Sequence, residues 1–145
     1  GTMITAQAAD TIDGTVVSGT YKRSTNGGRR RGLKSPAGGA WEKLSDGTYK
    51  YHFAEGLEAT DYWLEIDGTW YYFGHDNIMQ TGWVKDDGNW YYMDLKTGAL
   101  FTGWHEISGK WYYFHEEGDG FKGTLMVNCE TPDGYTVDVN GALVE

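Results

Sequence analysis

Residues 83–93 read WVKDDGNWYYM, and related stretches occur three times in this chain of 145 residues. In each copy a Trp is followed seven positions later by a second Trp that opens a Trp-Tyr-Tyr triplet. The three pairs are Trp63/Trp70, Trp83/Trp90 and Trp104/Trp111. Successive copies are 20 and 21 residues apart, and repetition at this period indicates a solenoid or array of repeats rather than a single globular core.

Each copy is predicted to form a β-hairpin. The dipeptides at 67–68, 87–88 and 108–109 are Asp-Gly, Asp-Gly and Ser-Gly, and each lies between two short aromatic-rich runs. Such pairs favour two-residue hairpin turns because Gly accepts the positive φ that these turns require. Side chains alternate between the two faces of a strand, so Tyr112 and Tyr113 are expected on opposite faces, with one face packing the array and the other lining a site.

The repeats weaken toward both ends of the chain. Trp41 and the Asp-Gly pair at 46–47 form a diverged unit, whereas residues 133–135 keep the turn but lack both Trp. Loss of the repeat pattern is expected of a terminal cap, which we place at about residues 123–145. The sequence therefore predicts an all-β fold: a β-hairpin repeat solenoid over 41–145, strongest over 63–114, after a short N-terminal β or irregular segment at 1–40.

The composition requires an aromatic core. Leu, Ile, Val and Phe together account for 25 residues, and the net charge is -9. These values usually indicate a disordered chain. However, 23 residues are aromatic, and all seven Trp lie between residues 41 and 111. We therefore expect an ordered chain whose apolar surface is supplied by rings and distributed along the repeats.

Charge divides the chain into a basic segment and an acidic array. Residues 1–40 have a net charge of +4 and residues 41–145 a net charge of -13, with the Pro/Gly-containing stretch 35–39 between them. We predict a domain boundary there. The Arg run at 29–31 could bind phosphate polymers, but a solvated segment lying against the acidic repeats is favoured, and the acidic array argues against a nucleic-acid partner.

Localisation signals are few. No stretch of the sequence approaches the 18 or more apolar residues of a membrane span. Residues 6–8 (Ala-Gln-Ala) have the form of a signal-peptidase site, which favours a secreted protein.

No catalytic constellation is found in the sequence. It contains four His residues, and none has the His-x-x-x-His spacing of a metal site. The His-Glu segments 105–106 and 115–117 are expected at hairpin edges, where charged side chains face solvent. A nucleophile elbow, a phosphate loop and a Cys/His pair are all missing from the sequence. We therefore predict no enzyme activity, no metal and no cofactor.

The repeat closely resembles the choline-binding repeat of Gram-positive cell-wall proteins. The resemblance is carried by residues 83–93 followed by 98–104 (GALFTGW), and residues 77–83 (NIMQTGW) and 116–118 fit the same pattern. It covers roughly residues 41–145. It implies a left-handed superhelix of hairpins in which ligand is held between consecutive units.

The same resemblance implies the residues of each site: two Trp of one hairpin, a Tyr of the next, and a Met or Leu of the connecting turn. The first predicted site contains Trp63, Trp70, Met79 and Tyr92. The second contains Trp83, Trp90, Leu100 and Tyr113. The third contains Trp104, Trp111 and Phe121, and a diverged fourth contains Trp41, Tyr49, Leu57 and Tyr72.

Such sites suit a cation that has no N–H group. A quaternary ammonium donates no hydrogen bond and is held best by ring faces, and excess negative charge favours it. We therefore expect a secreted cell-wall attachment or adhesion module that binds choline or phosphocholine of teichoic-type polymers. The alternatives are a glucan- or polysaccharide-binding module, an interaction protein that displays its basic segment, and aromatic packing without ligand. Two Trp with a Met or Leu form a closed cage rather than the flat platform that sugars need, which favours choline.

Overall fold

The computed structural model describes the backbone of strand residues 11–12, 15–16, 22–26 and 29–34, and then residues 35, 38–54, 56–60, 62–116 and 121–145. All of the regular elements in this part of the chain are β-strands. The predicted all-β hairpin fold is thus confirmed. Within the same residues, no helix has the length and apolar character needed to cross a membrane.

The strands follow one another in short antiparallel pairs. Their bounds are β1 Thr11–Ile12, β2 Thr15–Val16, β3 Lys22–Asn26, β4 Arg29–Lys34, β5 Ala40–Lys43, β6 Tyr49–His52, β7 Tyr62–Ile66, β8 Thr69–Phe73, β9 Gly82–Asp86, β10 Asn89–Met93, β11 Gly103–Ile107, β12 Lys110–Phe114, β13 Cys129–Glu130 and β14 Thr136–Val137. Strands β1–β2, β5–β6, β9–β10, β11–β12 and β13–β14 form two-stranded sheets, and β3-β4-β7-β8 form a four-stranded sheet in that order.

The three strong repeats turn as predicted. Asp87 and Gly88 both have positive φ, 50° and 80°, and the pairs at 67–68 and 108–109 have the same signs. Two consecutive positive φ angles define the turn whose twist matches that of the flanking strands. The turn fixes the register, so Trp83 lies opposite Tyr92 and Trp104 lies opposite Tyr113.

Residues of the basic segment pair with the first strong repeat. Strand β4 runs parallel to β7, with Leu33 opposite Leu64 and Lys34 opposite Glu65. The Arg run lies in β4, but its side chains are outside the described part of the chain, so its predicted position against acidic residues stays a prediction. The predicted domain boundary near residues 35–39 also stays a prediction.

The chain divides into two compact units: unit 1 comprises residues 1–25 and 30–80, and unit 2 comprises residues 26–29 and 81–145. Each has an aromatic-rich core. The buried core of unit 1 contains Tyr51, Phe53, Ala59, Leu64, Ile66, Phe73 and Met79. A buried cluster of unit 2 contains Tyr92, Ile107, Phe114 and Leu125, with Phe101 and Tyr112 packed against it. Burying one such side chain stabilises the fold by roughly 1.5–3 kcal/mol.

The last hairpin is short and is held by a buried threonine. Strands β13 and β14 contain two residues each, and Gly134 takes a φ of 92° in the turn between them. The Thr131 hydroxyl donates to Asp133 Oδ1 at 2.6 Å and accepts from the Tyr135 backbone N–H at 3.1 Å. These bonds fix Asp133 and Tyr135 at one end of unit 2.

Candidate ligand-binding site

A pocket between two consecutive hairpins of unit 2 is walled by rings. The Trp83 and Trp90 rings meet edge to face, with their centroids 6.1 Å apart and their planes at 90°. Tyr112 of the next hairpin approaches Trp83 to 5.1 Å at 80°. These three rings, with Leu125 and Asn140, line a cavity of about 320 Å³, which we call the Trp83 pocket.

The strand register explains why these rings meet. Trp83, Trp90 and Tyr92 lie on one face of the β9–β10 hairpin, because Trp83 is paired with Tyr92 and Trp90 is two positions from Tyr92. Tyr112 and Phe114 share one face of β12, and the Phe114 ring lies 5.9 Å from that of Trp83. The Trp face of one hairpin thus packs on the Tyr-Phe face of the next.

The aliphatic wall is fixed by a backbone bond. The Leu125 N–H donates to the Trp90 carbonyl at 2.8 Å, which holds the segment after β12 against β10. The Trp rings are nevertheless left partly open to solvent: Trp83 is 39% exposed and Trp90 is 41% exposed. Large exposed rings at a concave surface are typical of a binding site.

A second pocket repeats this arrangement one hairpin later. It has a volume of about 390 Å³ and is lined by Trp104, Trp111, Asp133, Tyr135 and Leu143; we call it the Trp104 pocket. Tyr135 meets Trp104 edge to face at 5.8 Å and 89°. The Leu143 N–H donates to the Trp111 carbonyl at 2.8 Å, the same bond that Leu125 makes in the Trp83 pocket.

A carboxylate at the wall distinguishes the Trp104 pocket. Asp133 Oδ2 accepts the indole N–H of Trp104 at 2.8 Å. The hydroxyl of Thr131 and the indole N–H of Trp104 both donate to this carboxylate, and they lower the pKa of Asp133 below its ordinary value. Asp133 therefore carries its negative charge at neutral pH beside two partly exposed indole rings.

Unit 1 contains a related set of rings. Trp41 contacts Tyr71 of the next hairpin at 4.9 Å and 71°, and Tyr49 of its own hairpin at 6.2 Å and 89°. The Met79 N–H donates to the Tyr49 carbonyl at 2.8 Å. This bond corresponds to those of Leu125 and Leu143, so the same construction occurs in both units.

The residues brought together differ from the predicted second site. Tyr113 is only 6% exposed, and it packs against Trp104 of its own hairpin at 5.2 Å. Tyr112, its neighbour on the opposite face, closes the Trp83 pocket instead. The predicted Leu100 pairs with Met93 and lies close to Gly123, whereas the aliphatic wall is Leu125. The structure therefore does not bring Leu100 and Tyr113 together with the Trp83–Trp90 pair, and the choline-binding role of these residues stays a prediction.

The same displacement appears in the diverged fourth site. The prediction joined Trp41 and Tyr49 to Leu57 and Tyr72, but Trp41 contacts Tyr71. Tyr72 instead contacts Trp63 of its own hairpin at 4.8 Å. In both cases the closing ring is the first Tyr of the Trp-Tyr-Tyr triplet, and the aliphatic residue comes from one linker further along the chain.

The remaining predicted residues are placed as follows. Trp63, Trp70 and Met79 are all buried in unit 1. Tyr92 belongs to unit 2, where it contacts Trp83 at 5.1 Å and Phe101 at 5.0 Å. Of the third site, Trp104 and Trp111 line the Trp104 pocket, but Phe121 lies in a turn and is not among the lining residues.

The aliphatic residues that follow the hairpins come from linker turns of one type. Each follows by two positions a residue with positive φ, namely Asn77 before Met79, Gly123 before Leu125 and Gly141 before Leu143. Gly98 precedes Leu100 in the same way, so this turn pattern alone does not distinguish Leu125 from the predicted Leu100. Asp133 and Asn140 each precede the Gly of a turn pair, a signal that predicts the turn but not that the side chain lines a pocket.

One group in unit 1 has donor atoms that a metal could use. His52 Nε2 lies 2.7 Å from Glu42 Oε1 and 3.9 Å from Glu58 Oε2, and within the described residues this is the one such cluster of three. Glu58 already accepts from Asn77 at 2.7 Å and from Lys50 at 3.2 Å. The bond from Asn77 and, to a smaller extent, that from Lys50 lower the pKa of Glu58 below its ordinary value. We interpret the cluster as a polar tie, a set of hydrogen bonds that joins the β5–β6 hairpin to the linkers that contain Glu58 and Asn77.

The described pockets have the chemistry of cation binding. Their walls are ring faces and aliphatic carbons, with one carboxylate and one amide. Ring faces attract a cation, and two Trp with a Tyr present three ring walls to a methylated ammonium. The fold and the pockets define a ligand-binding module built from aromatic hairpin repeats.

The chain belongs to the choline-binding repeat family. The sequence profile of the choline-binding repeat matches residues 59–102 and 101–132, about half of the chain. The predicted family is thus confirmed, and a repeat module of this family is a binding domain rather than a catalytic one. No curated protein matches the chain significantly.

Solved structures of pneumococcal proteins are similar to the chain. Choline binding protein F from Streptococcus pneumoniae, in the presence of a peptidoglycan analogue, is 28% identical with a TM-score of 0.64 over 92% of this chain and 42% of that one. CbpJ from the same species is 31% identical with a TM-score of 0.51 over 72% of this chain and 40% of that one. The choline binding domain of Spr1274 is 38% identical with a TM-score of 0.50 over 57% of this chain and 93% of that one. The chain spans less than half the length of the first two.

Proposed function

We propose that this chain is a cell-wall attachment or adhesion module that binds choline or phosphocholine of teichoic-type polymers. The observation that carries the proposal is the repeated pocket in which two Trp of one hairpin meet a Tyr of the next, as in Trp83, Trp90 and Tyr112. Membership of the choline-binding repeat family supports it. Choline binding protein F was solved in the presence of a peptidoglycan analogue, which supports a cell-wall partner and a secreted location.

Each pocket is expected to bind weakly. A ring face contributes roughly 0.5–2 kcal/mol to holding an ammonium, so three rings supply about 1.5–6 kcal/mol, with about 4 kcal/mol near the middle of this range. This corresponds to a Kd in the millimolar range. When several pockets of the chain bind choline groups of the same polymer, the overall affinity rises through effective concentration. Weak repeated sites therefore suit attachment to a wall polymer, which offers many choline groups at once.

The proposal is tested by titrating the chain with choline while recording Trp fluorescence and the thermal midpoint. We expect quenching or a shift in emission at millimolar choline, and a rise in Tm because ligand binds only the folded state. Glucan oligosaccharides serve as the comparison. A response to glucans with none to choline at up to about 100 mM would contradict the proposal and favour a polysaccharide-binding module.

Paired variants locate the response. Trp83→Ala and Trp104→Ala remove one indole wall from each pocket of unit 2, and each is expected to weaken part of the choline titration. Leu95→Ala is a matched control, because Leu95 is a large exposed side chain that lines neither pocket. A choline response that survives in the Trp83→Ala, Trp104→Ala double variant would place the binding elsewhere.

A further inference from the structure

The two pockets of unit 2 have matching walls but opposite charge. In the Trp83 pocket the cross-strand partner of Trp90 is Lys85, whereas in the Trp104 pocket the partner of Trp111 is Glu106. Directly paired residues project from the same face of a hairpin. A positive side chain therefore projects from the same hairpin face as the second Trp of one pocket, and a negative side chain from the same face as the second Trp of the other, while neither side chain lines the pocket itself.

Lys85 also makes a ring contact of the kind that a ligand would make. Its ammonium Nζ lies 5.7 Å from the centroid of the Trp90 ring. This is within the distance of about 6 Å at which a cation is attracted by a ring face. The Trp90 indole, which forms a wall of the Trp83 pocket, is thus already in contact with a cation of the protein's own chain.

The rest of each lining adds to the contrast. Asn140 contributes a neutral amide to the Trp83 pocket, whereas Asp133 contributes a carboxylate to the Trp104 pocket. That carboxylate is held in place by the Trp104 indole at 2.8 Å and the Thr131 hydroxyl at 2.6 Å. Each oxygen accepts one of these bonds, so the charge stays oriented beside the pocket.

We propose that these charges rank the two pockets: Lys85 is an intramolecular competitor at the Trp83 pocket, and Asp133 with Glu106 makes the Trp104 pocket the site that a cationic ligand occupies first. This inference rests on the proposed choline-binding function and specifies which site of the module is tight. One unit charge at about 6 Å in a water-exposed site changes a cation's Kd by about threefold at low salt. Lys85 and Glu106 differ by two unit charges, and Asn140 and Asp133 differ by one, so the affinities of the two pockets for choline are expected to differ by about tenfold or more.

The test resolves the pockets by their own indole signals. The full chain is labelled with ¹⁵N, and the indole N–H resonances are assigned with single Trp→Phe variants. Choline chloride is then titrated at low salt. The Trp104 and Trp111 signals are expected to reach half-change at about tenfold lower choline than those of Trp83 and Trp90.

A single charge change should then shift the choline midpoint of one pocket and leave that of the other unchanged. Lys85→Gln is expected to lower the choline midpoint of the Trp83 pocket about threefold, and Asp133→Asn to raise that of the Trp104 pocket about threefold. Asn keeps one oxygen that accepts the Trp104 N–H, and its NH2 group can donate to the Thr131 hydroxyl, which still has the Tyr135 carbonyl as acceptor at 3.2 Å; the second variant therefore tests charge rather than folding. Lys96→Gln is the matched control for Lys85→Gln. It makes the same change in net charge at a linker residue that lines neither pocket.

Salt provides a test that needs no variant. Raising NaCl from about 0.01 to 1 M shortens the Debye length from about 30 to 3 Å. The difference in choline midpoint between the two pockets of the unmodified chain should therefore become smaller. Coincident titration of both pockets at low salt, unchanged by Lys85→Gln and Asp133→Asn, would overturn the ranking and leave the proposed choline function standing. No response of any indole to choline would overturn both.

Discussion

The ring of Trp83 meets the ring of Tyr112 in the next hairpin with centroids 5.1 Å apart and planes at 80°. This contact joins the Trp face of one hairpin to the opposite face of the following one. Tyr113, one residue further, points away and packs on Trp104 of its own hairpin. Two adjacent tyrosines of one strand therefore have different roles.

Our first prediction uses this adjacency. Tyr112→Leu keeps an apolar side chain but removes one aromatic wall, so choline binding at the Trp83 pocket should weaken about threefold or more, the value of one ring face. Tyr113→Leu makes the same chemical change at a buried position and should lower stability by about 1–3 kcal/mol. Indole-resolved choline titrations and urea unfolding measure the two effects.

These two variants separate binding from packing. The Tyr113→Leu protein, once folded, should bind choline at the Trp83 pocket as the unmodified chain does. Loss of binding at that pocket in Tyr113→Leu with none in Tyr112→Leu would restore the original assignment of Tyr113 as the closing ring.

The hairpins could be predicted from local sequence, but the pocket partners could not. Asp87-Gly88 fixes a turn, and the turn fixes the pairing of Trp83 with Tyr92. Alternation then states that Tyr112 and Tyr113 point to opposite faces, but it does not state which face meets the preceding hairpin. That choice depends on the path of the linker, which is set by positive φ angles at residues such as Gly123.

The parallel pairing of β4 with β7 was also beyond the sequence pattern. Leu33 and Leu64 are opposite each other although 31 positions separate them. An antiparallel hairpin has a turn between its strands that can be recognised, whereas a parallel pair requires a crossover with no short signature. The N-terminal segment was accordingly predicted only as β or irregular.

The second prediction concerns the glycine that supports a pocket wall. A Cβ at Gly141 would lie 2.7 Å from Leu125 Cδ2, while a Cβ at Gly134 would meet nothing within 4 Å. Both glycines have positive φ, 85° and 92°. Gly134→Ala should therefore cost only the backbone strain, about 1 kcal/mol, whereas Gly141→Ala should cost more and displace Leu125. Thermal unfolding and choline titration of both variants measure this difference.

The Trp83 pocket reports the displacement directly. Gly141→Ala is expected to weaken choline binding there, because Leu125 lines that pocket, and Gly134→Ala is expected to leave it unchanged. Equal stability and equal binding in the two variants would show that Leu125 moves aside without cost.

The third prediction concerns the polar tie in unit 1. Bonds from Asn77 and then Lys50 lower the pKa of Glu58, so the carboxylate stabilises the fold above its ordinary titration range. This stabilisation is lost as the pH falls through the lowered pKa. Glu58→Gln should therefore have a lower Tm than the unmodified chain at pH 7, and the two Tm values should converge in acid, once the pH lies below the lowered pKa of Glu58.

Scanning calorimetry at several pH values tests this tie. Glu130→Gln serves as a control, because Glu130 is exposed and its substitution removes the same charge. A difference between Glu58→Gln and the unmodified chain that is as large in acid as at pH 7 would show that shape, not charge, accounts for the effect.

The last prediction concerns the pH range of the Trp104 pocket. Bonds from the Thr131 hydroxyl and then the Trp104 indole lower the pKa of Asp133, so its carboxylate stays charged until the pH falls below the ordinary range of an Asp. Choline affinity at this pocket should therefore be constant from about pH 8 to pH 5 and decline only at lower pH, as Asp133 is protonated. In Asp133→Asn the affinity should be lower at neutral pH and should not show this acid decline. The Trp104 indole N–H resonance follows the same event, because protonation of Asp133 weakens the bond that the indole donates. An affinity that already falls between pH 7 and 6 would assign the dependence to a histidine rather than to Asp133.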